Sequence, residues 1–160
     1  MASEFISFTI LFSLGISMVV AIGVTVTNVE SGIAENVANQ EITQILQDIK
    51  TRIDKELSVI SWELPDPSSY LYSYQIDLPV LLAKRFSYSI EPTIDSNDLY
   101  SLSASGSFLD NDITVEVPLG LSTSNYEITG SLDSILDIHT VTFQKTSGNF
   151  ISIEFSSQNK

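Results

Sequence analysis

The chain has 160 residues and a net charge of −13, from 20 acids against seven Lys and Arg, and it has no cysteine. So acidic a surface argues against nucleic acid and against adsorption to anionic lipid, both of which need clustered Lys and Arg. The missing cysteine removes disulfides and thiolate metal sites, and the length leaves room for one sizeable domain beside an N-terminal anchor.

The first element is an apolar helix. Phe5 to Thr27 is a run of 23 residues without a charge or a proline. At about 1.5 Å of rise per residue it is roughly 35 Å long, enough for a hydrocarbon core of about 30 Å. In lipid every backbone polar group needs an internal partner, so the run is expected to be helical. A cleavable signal would carry a basic n-region, which Met1-Ala2-Ser3-Glu4 lacks, and a core of about 7–15 residues. A retained anchor is expected. Its orientation is not given by Lys and Arg, because the first base after it is Lys50.

The helix is expected to continue to about Trp62, since residues 28–62 contain no proline and one glycine, Gly32. Ile42, Ile45, Leu46, Ile49, Ile53, Leu57 and Ile60 recur at steps of three and four, an amphipathic period. A wet stripe of this length is unfavourable. It is expected to pack on the rest of the chain or on other copies.

Residues 63–69 form a linker, Glu63-Leu64-Pro65-Asp66-Pro67-Ser68-Ser69, in which two prolines stop the helix. From residue 70 to 160 the period becomes two. Tyr70, Tyr72, Tyr74, Ile76 and Leu78 face one way; Phe86, Tyr88 and Ile90 alternate with serines; Ile113, Val115 and Val117 alternate with Thr114 and Glu116. Residues 138–144 and 150–155 suggest a hairpin across Thr146-Ser147-Gly148-Asn149. About seven short strands suggest an antiparallel β-sandwich, so the whole is α+β.

Catalytic signals are sparse. His139 is the single histidine, and no Gly-x-Ser-x-Gly elbow occurs; a histidine at a sheet surface is the simpler reading, and no enzyme activity or cofactor is expected. Zinc is excluded on ligand supply. Asp110-Asn111-Asp112 and Asp95-Ser96-Asn97-Asp98 offer oxygen ligands, but neither continues into an EF-hand loop, and Asp and Asn also favour ordinary turns. No metal site is expected. The tyrosines at 70, 72 and 74 either form an adhesive stripe or fill one face of their strand.

The anchor itself is more informative. Thr9, Ser13, Ser17, Ala21 and Thr25 form a row of small residues at steps of four. Helices in lipid associate by close backbone approach, which small residues permit, so this row is the candidate helix–helix assembly face. The alternative is that its hydroxyls serve only their own i−4 carbonyls. Glu4, at the start of the run, is a candidate interface ion pair with the α-amino group of a neighbouring copy, or else a helix-start acid favourable against the dipole.

The start Met1-Ala2-Ser3-Glu4-Phe5-Ile6-Ser7, the apolar run after it and the helix to Trp62 resemble the type IV pilin-like proteins of archaea. The start looks most like the archaellum accessory, stator-like proteins. Ile76-Asp77-Leu78-Pro79 and Phe86-Ser87-Tyr88-Ser89-Ile90 are similar to small pilin-like membrane proteins, of minor-pilin type. The resemblance implies a membrane and amphipathic helix over residues 1–62 and a β-sandwich head over 70–160. It also implies a structural, non-enzymatic role in a surface filament or its basal machinery. The implied partners are the membrane, copies of the chain or related pilin-like subunits, a surface layer or the archaellum machinery; the place is the cytoplasmic membrane with an extracytoplasmic C-terminal domain, or an extracellular filament. Prepilins carry a basic leader before the apolar run, so either the leader has been removed or the chain is inserted unprocessed. Glu4 stands close to, though not at, the fifth mature position where pilins carry a glutamate. A different reading is a solitary anchored β-sandwich that binds a cell-envelope or surface-layer component.

Overall fold

A computed structural model describes residues 2–63, 70–108, 111–145 and 150–160, with backbone alone at 2–7, 61–63, 70, 108 and 111. Helix α1 spans Ala2–Glu63. Eight strands follow: β1 (Tyr70–Ile76), β2 (Ser87–Ile94), β3 (Leu99–Phe108), β4 (Asn111–Ser122), β5 (Tyr126–Gly130), β6 (Leu132–Asp133), β7 (Ile138–Lys145) and β8 (Ile151–Gln158). The chain divides into two compact units, residues 1–36 and 37–160, so the division falls inside α1.

The second unit holds two four-stranded sheets, ordered β1-β7-β8-β5 and β4-β3-β2-β6. The expected α+β architecture is present in these coarse terms. The expectation of wholly antiparallel sheets is corrected at one place: β5 runs parallel to β8, with Tyr126 opposite Ile151 and Gly130 opposite Phe155. The cause is the path of the chain. After β5 it crosses to the other sheet, where Leu132 and Asp133 pair with Ile90 and Ser89 of β2. It then returns through β7 to β8, and a parallel pair needs a crossover of this kind. Gly130, at φ +83°, permits the crossing, because a Cβ there would run into the Phe155 carbonyl.

The β7–β8 hairpin pairs Lys145 with Ile151 as expected; the turn residues 146–149 lie outside the described residues, as does the 64–69 part of the linker. Alternation gives each strand one buried face. Leu102 and Ala104 of β3, Ile90 of β2, Val141 and Phe143 of β7 and Ile153 of β8 are all at 0% exposure. Tyr72 and Tyr74 are half-buried against Phe143, with ring centroids 6.5 and 6.0 Å from it. They fill a strand face, the plainer of the two expectations for these tyrosines.

From residue 37 onward α1 belongs to this second unit. Ala38, Ile42, Leu46, Ile49, Ile53, Leu57 and Ile60 are buried, each below 8% exposure. The stripe therefore packs on its own β unit rather than on other copies. Ile45, expected in the stripe, is only half-buried: Leu46 takes the core position in that turn, since two neighbours lie about 100° apart around a helix.

Two polar ties show where α1 lies. Lys50 Nζ donates to the Pro118 carbonyl of β4 at 2.6 Å. The Ala83 amide donates to Glu41 Oε2 at 2.7 Å. Ile45, Asp48, Ile49 and Arg52 also border a hollow of about 140 Å³ with Gln75 to Leu78, at the end of β1. β1 and β4 are the outermost strands of their respective sheets, so these contacts join α1 to the outer strand of one sheet and to the end of the outer strand of the other.

Leu46→Ala or Ile53→Ala is expected to lower the unfolding free energy by about 2–4 kcal/mol, and Ile45→Ala by about 1 kcal/mol or less. Denaturant titration of the detergent-solubilised chain, followed by circular dichroism, measures the difference.

Candidate functional site

The first unit is helix alone, and its described side chains are exposed from Phe8 through Glu30. Leu11, Met18 and Val19 are 70%, 63% and 71% exposed. The helix contains a segment long and apolar enough to cross a membrane by length and composition. Exposed in this sense means untouched by the chain itself.

Thr9, Ser13, Ser17, Ala21 and Thr25 all lie on this exposed segment. Ser17 Oγ donates to the Ser13 carbonyl at 2.9 Å and Thr25 Oγ1 to the Ala21 carbonyl at 2.9 Å. Thr27 Oγ1 donates likewise to Gly23 at 3.0 Å. These hydroxyls are satisfied on their own helix. Ser17 and Thr25 thus present small volume rather than hydrogen-bonding demand, and an added Cβ at Gly15 or Gly23 would meet nothing within 4 Å. Glu4 is helical in its backbone, but its side chain lies outside the described residues.

The other candidates fall inside the second unit. Asp95 is committed to its own turn: its Oδ1 accepts from the amides of Asn97 at 2.8 Å and Leu99 at 3.0 Å. The Leu99 bond, then the Asn97 bond, holds its carboxyl below the usual range. Asp110 lies outside the described residues.

His139 is not at a sheet surface. It is 3% exposed and shares the inward face of β7 with Val141, Phe143 and Lys145. Parity along the strand dictates this, since His139 is two residues from Val141. The Asp133 amide donates to Ser157 Oγ at 3.0 Å, and Ser157 Oγ lies 3.0 Å from His139 Nδ1. With that amide bond occupying a lone pair, the hydroxyl proton is free to go to Nδ1, which suits a neutral ring protonated at Nε2. Burial lowers the His139 pKa, against the opposing pull of Asp133, Asp137 and Asp77.

Sequence reasoning missed three further features. Ser134 is fully buried and accepts from the Tyr88 amide at 2.9 Å, while its own amide donates to the Tyr88 carbonyl at 3.0 Å. The Tyr74 and Tyr88 hydroxyls are buried without a hydrogen-bond partner among the described residues. Burial, with Arg52 opposing, pushes Tyr74 up to about 12, and burial with Glu41 raises Tyr88 further. An open hollow of about 410 Å³ lies beside the outward serines Ser87, Ser89, Ser105 and Ser107, with Asp112 and Asp133 at its sides. The alternating serines of β2 and β3 were its visible signal.

No protein-family model matches the chain, and neither a curated protein nor a solved structure matches it significantly.

Because the folded-state pKa of His139 is depressed, the unfolded chain binds the extra proton near pH 6.5. Its contribution to stability is full above that pH and is lost as pH falls below it. Thermal unfolding between pH 7 and 5 is expected to show a falling midpoint, with a shallower slope in His139→Gln.

Proposed function

We propose that the chain is a membrane-anchored structural subunit that assembles through the apolar half of α1 and carries its β unit outside the cytoplasmic membrane. It acts without catalysis, in a surface filament or its basal machinery, in the manner of archaeal type IV pilin-like and archaellum accessory proteins. The partners are the membrane and copies of the chain or related subunits. One observation carries the reading: the second half of α1 buries its apolar stripe on its own β unit, while the first half buries nothing. Lipid satisfies the apolar side chains of that half. The small row adds a strip where a second backbone can approach closely.

A solitary anchored module that binds a cell-envelope or surface-layer component is the second reading. The hollow beside the four outward serines favours it. It requires a monomer, so the two readings separate on self-association.

The cysteine-free chain makes the test direct. Single substitutions Ser13→Cys and Ser17→Cys are expected to give disulfide-linked dimers on mild oxidation in membranes. Val19→Cys, two residues on and so nearly opposite on the helix, is expected to give few. Combining Ser17→Ile with Ala21→Ile should reduce the dimer formed through Ser13→Cys. A monomer in membranes at every position overturns the assembly reading and leaves the solitary module.

A further inference from the structure

Beyond the three bases of α1, Lys50, Arg52 and Lys55, the second unit presents its bases in an unusual way. From Glu63 onward the sequence has 13 acids and four bases. Lys145 is buried and Lys160 is a single exposed base, whereas Lys84 and Arg85 are adjacent and both exposed. They occupy a tight turn between β1 and β2. The Arg85 amide donates to the Leu82 carbonyl at 2.9 Å, and Leu82 and Phe86 exchange backbone hydrogen bonds, each 2.9 Å. Leu82 and Phe86, 0% and 1% exposed, pin the base of the turn in the core.

The two central residues, Ala83 and Lys84, have φ of 47° and 60°. This is a turn with both central residues left-handed, where glycine and asparagine are favoured and alanine and lysine are strained. The Glu41 carboxylate on α1 holds the Ala83 amide. The strain is thus imposed from several sides, and its effect is to hold Lys84 and Arg85 outward on a fixed tip. Strained backbone of this kind points to use. Val80 and Leu81, 59% and 43% exposed, put apolar surface beside the charges.

We infer that this basic tip docks on α1 of a second copy, at the face formed by Val26, Val29, Glu30 and Ile33. The inference rests on the assembly reading above and names a contact within it. Those four residues follow i, i+3, i+4, i+7 spacing and so share one face. The three apolar ones are 51%, 55% and 59% exposed, and Glu30 is exposed. Glu30 is the first charge after the uncharged run, so this face adjoins the segment that enters lipid.

Charge selects the occupant. Copies with net charge −13 repel one another, and they approach most readily where bases of one meet acids of the next. Apolar surface lies on both sides of the contact. An anionic lipid surface is the weaker partner for two bases on so acidic a chain, because each base near the surface contributes only about 1 kcal/mol.

The experiment uses the full chain in liposomes of zwitterionic lipid, with association read by energy transfer between labelled copies. Lys84→Glu with Arg85→Glu is expected to weaken association about tenfold. Glu30→Lys alone should also weaken it, and mixing the two variants should restore it. Lys84→Gly relieves the left-handed strain, so its unfolding midpoint should rise by a few degrees while its association falls. Association unchanged in the double charge reversal, with Ser17→Cys dimers still forming, overturns this contact and leaves the assembly reading standing. Absence of Ser17→Cys dimers in a chain otherwise unaltered overturns the assembly reading itself. Association that requires anionic lipid, and that mixing does not restore, assigns the tip to headgroups and overturns the proposal.

Discussion

The second unit depends on the apolar stripe that α1 buries within it. Ala38, Ile49 and Ile60 are eleven residues apart, and so are Ile42 and Ile53, and Leu46 and Leu57. Eleven residues in three turns is about 3.67 per turn, close to the period of an unstrained helix, so the stripe stays nearly in line without supercoiling. Each buried isoleucine or leucine contributes about 1.5–3 kcal/mol. The helix thereby completes the core of this unit.

The polar ties have a different task. In β4 the register against β3 shifts between Tyr100 and Ser101, so that Tyr100 faces Leu121 and Ser101 faces Pro118. The two extra residues, Leu119 and Gly120, form a bulge, with Leu119 buried and Gly120 at φ +74°. The Pro118 carbonyl beside that bulge is the one Lys50 reaches. A net gain of about 1 kcal/mol is typical of such a bond, small beside the stripe. Its value lies in direction: a slip of α1 by one turn would break both this bond and the one from Ala83 to Glu41 while leaving apolar residues to bury. Apolar packing holds the helix on the sheets, and the two polar contacts fix its register.

What the sequence disclosed follows from which forces are local. Helical and alternating periods are set by neighbours, so α1, its stripe and the inward faces of most strands could be read directly. Leu46 against Ile45, and Ala38 as a buried position, depend on how the helix is rotated against the sheets, which periodicity leaves free by one residue. The parallel pairing of β5 with β8 and the two-residue strand β6 depend on a crossing between sheets, and only Gly130 hinted at it. The inward turn of His139 was legible from parity with Val141 and Phe143, but a polar residue in that position reads as surface unless its partner, Ser157, is also seen. The row of small residues proposed for assembly was visible as a spacing. Its partner would lie in another copy, so one chain folded alone has no contact there.

The satisfied hydroxyls of that row bear on how specificity would arise. Where serine and threonine lack partners in lipid, they seek them on a neighbouring helix, and the hydrogen bond then fixes register. Here Ser17 and Thr25 are already bonded to Ser13 and Ala21. A neighbouring helix would therefore meet a smooth strip that allows close approach and tolerates sliding by a turn, since the row repeats every four residues. Register would have to come from outside the hydrocarbon, where bases are few enough to be distinct. Glu30 stands just beyond the apolar run, and Lys84 and Arg85 stand on a turn whose backbone strain fixes their direction. In the proposed assembly, close packing in lipid would permit association and charge outside it would choose one among several equivalent alignments.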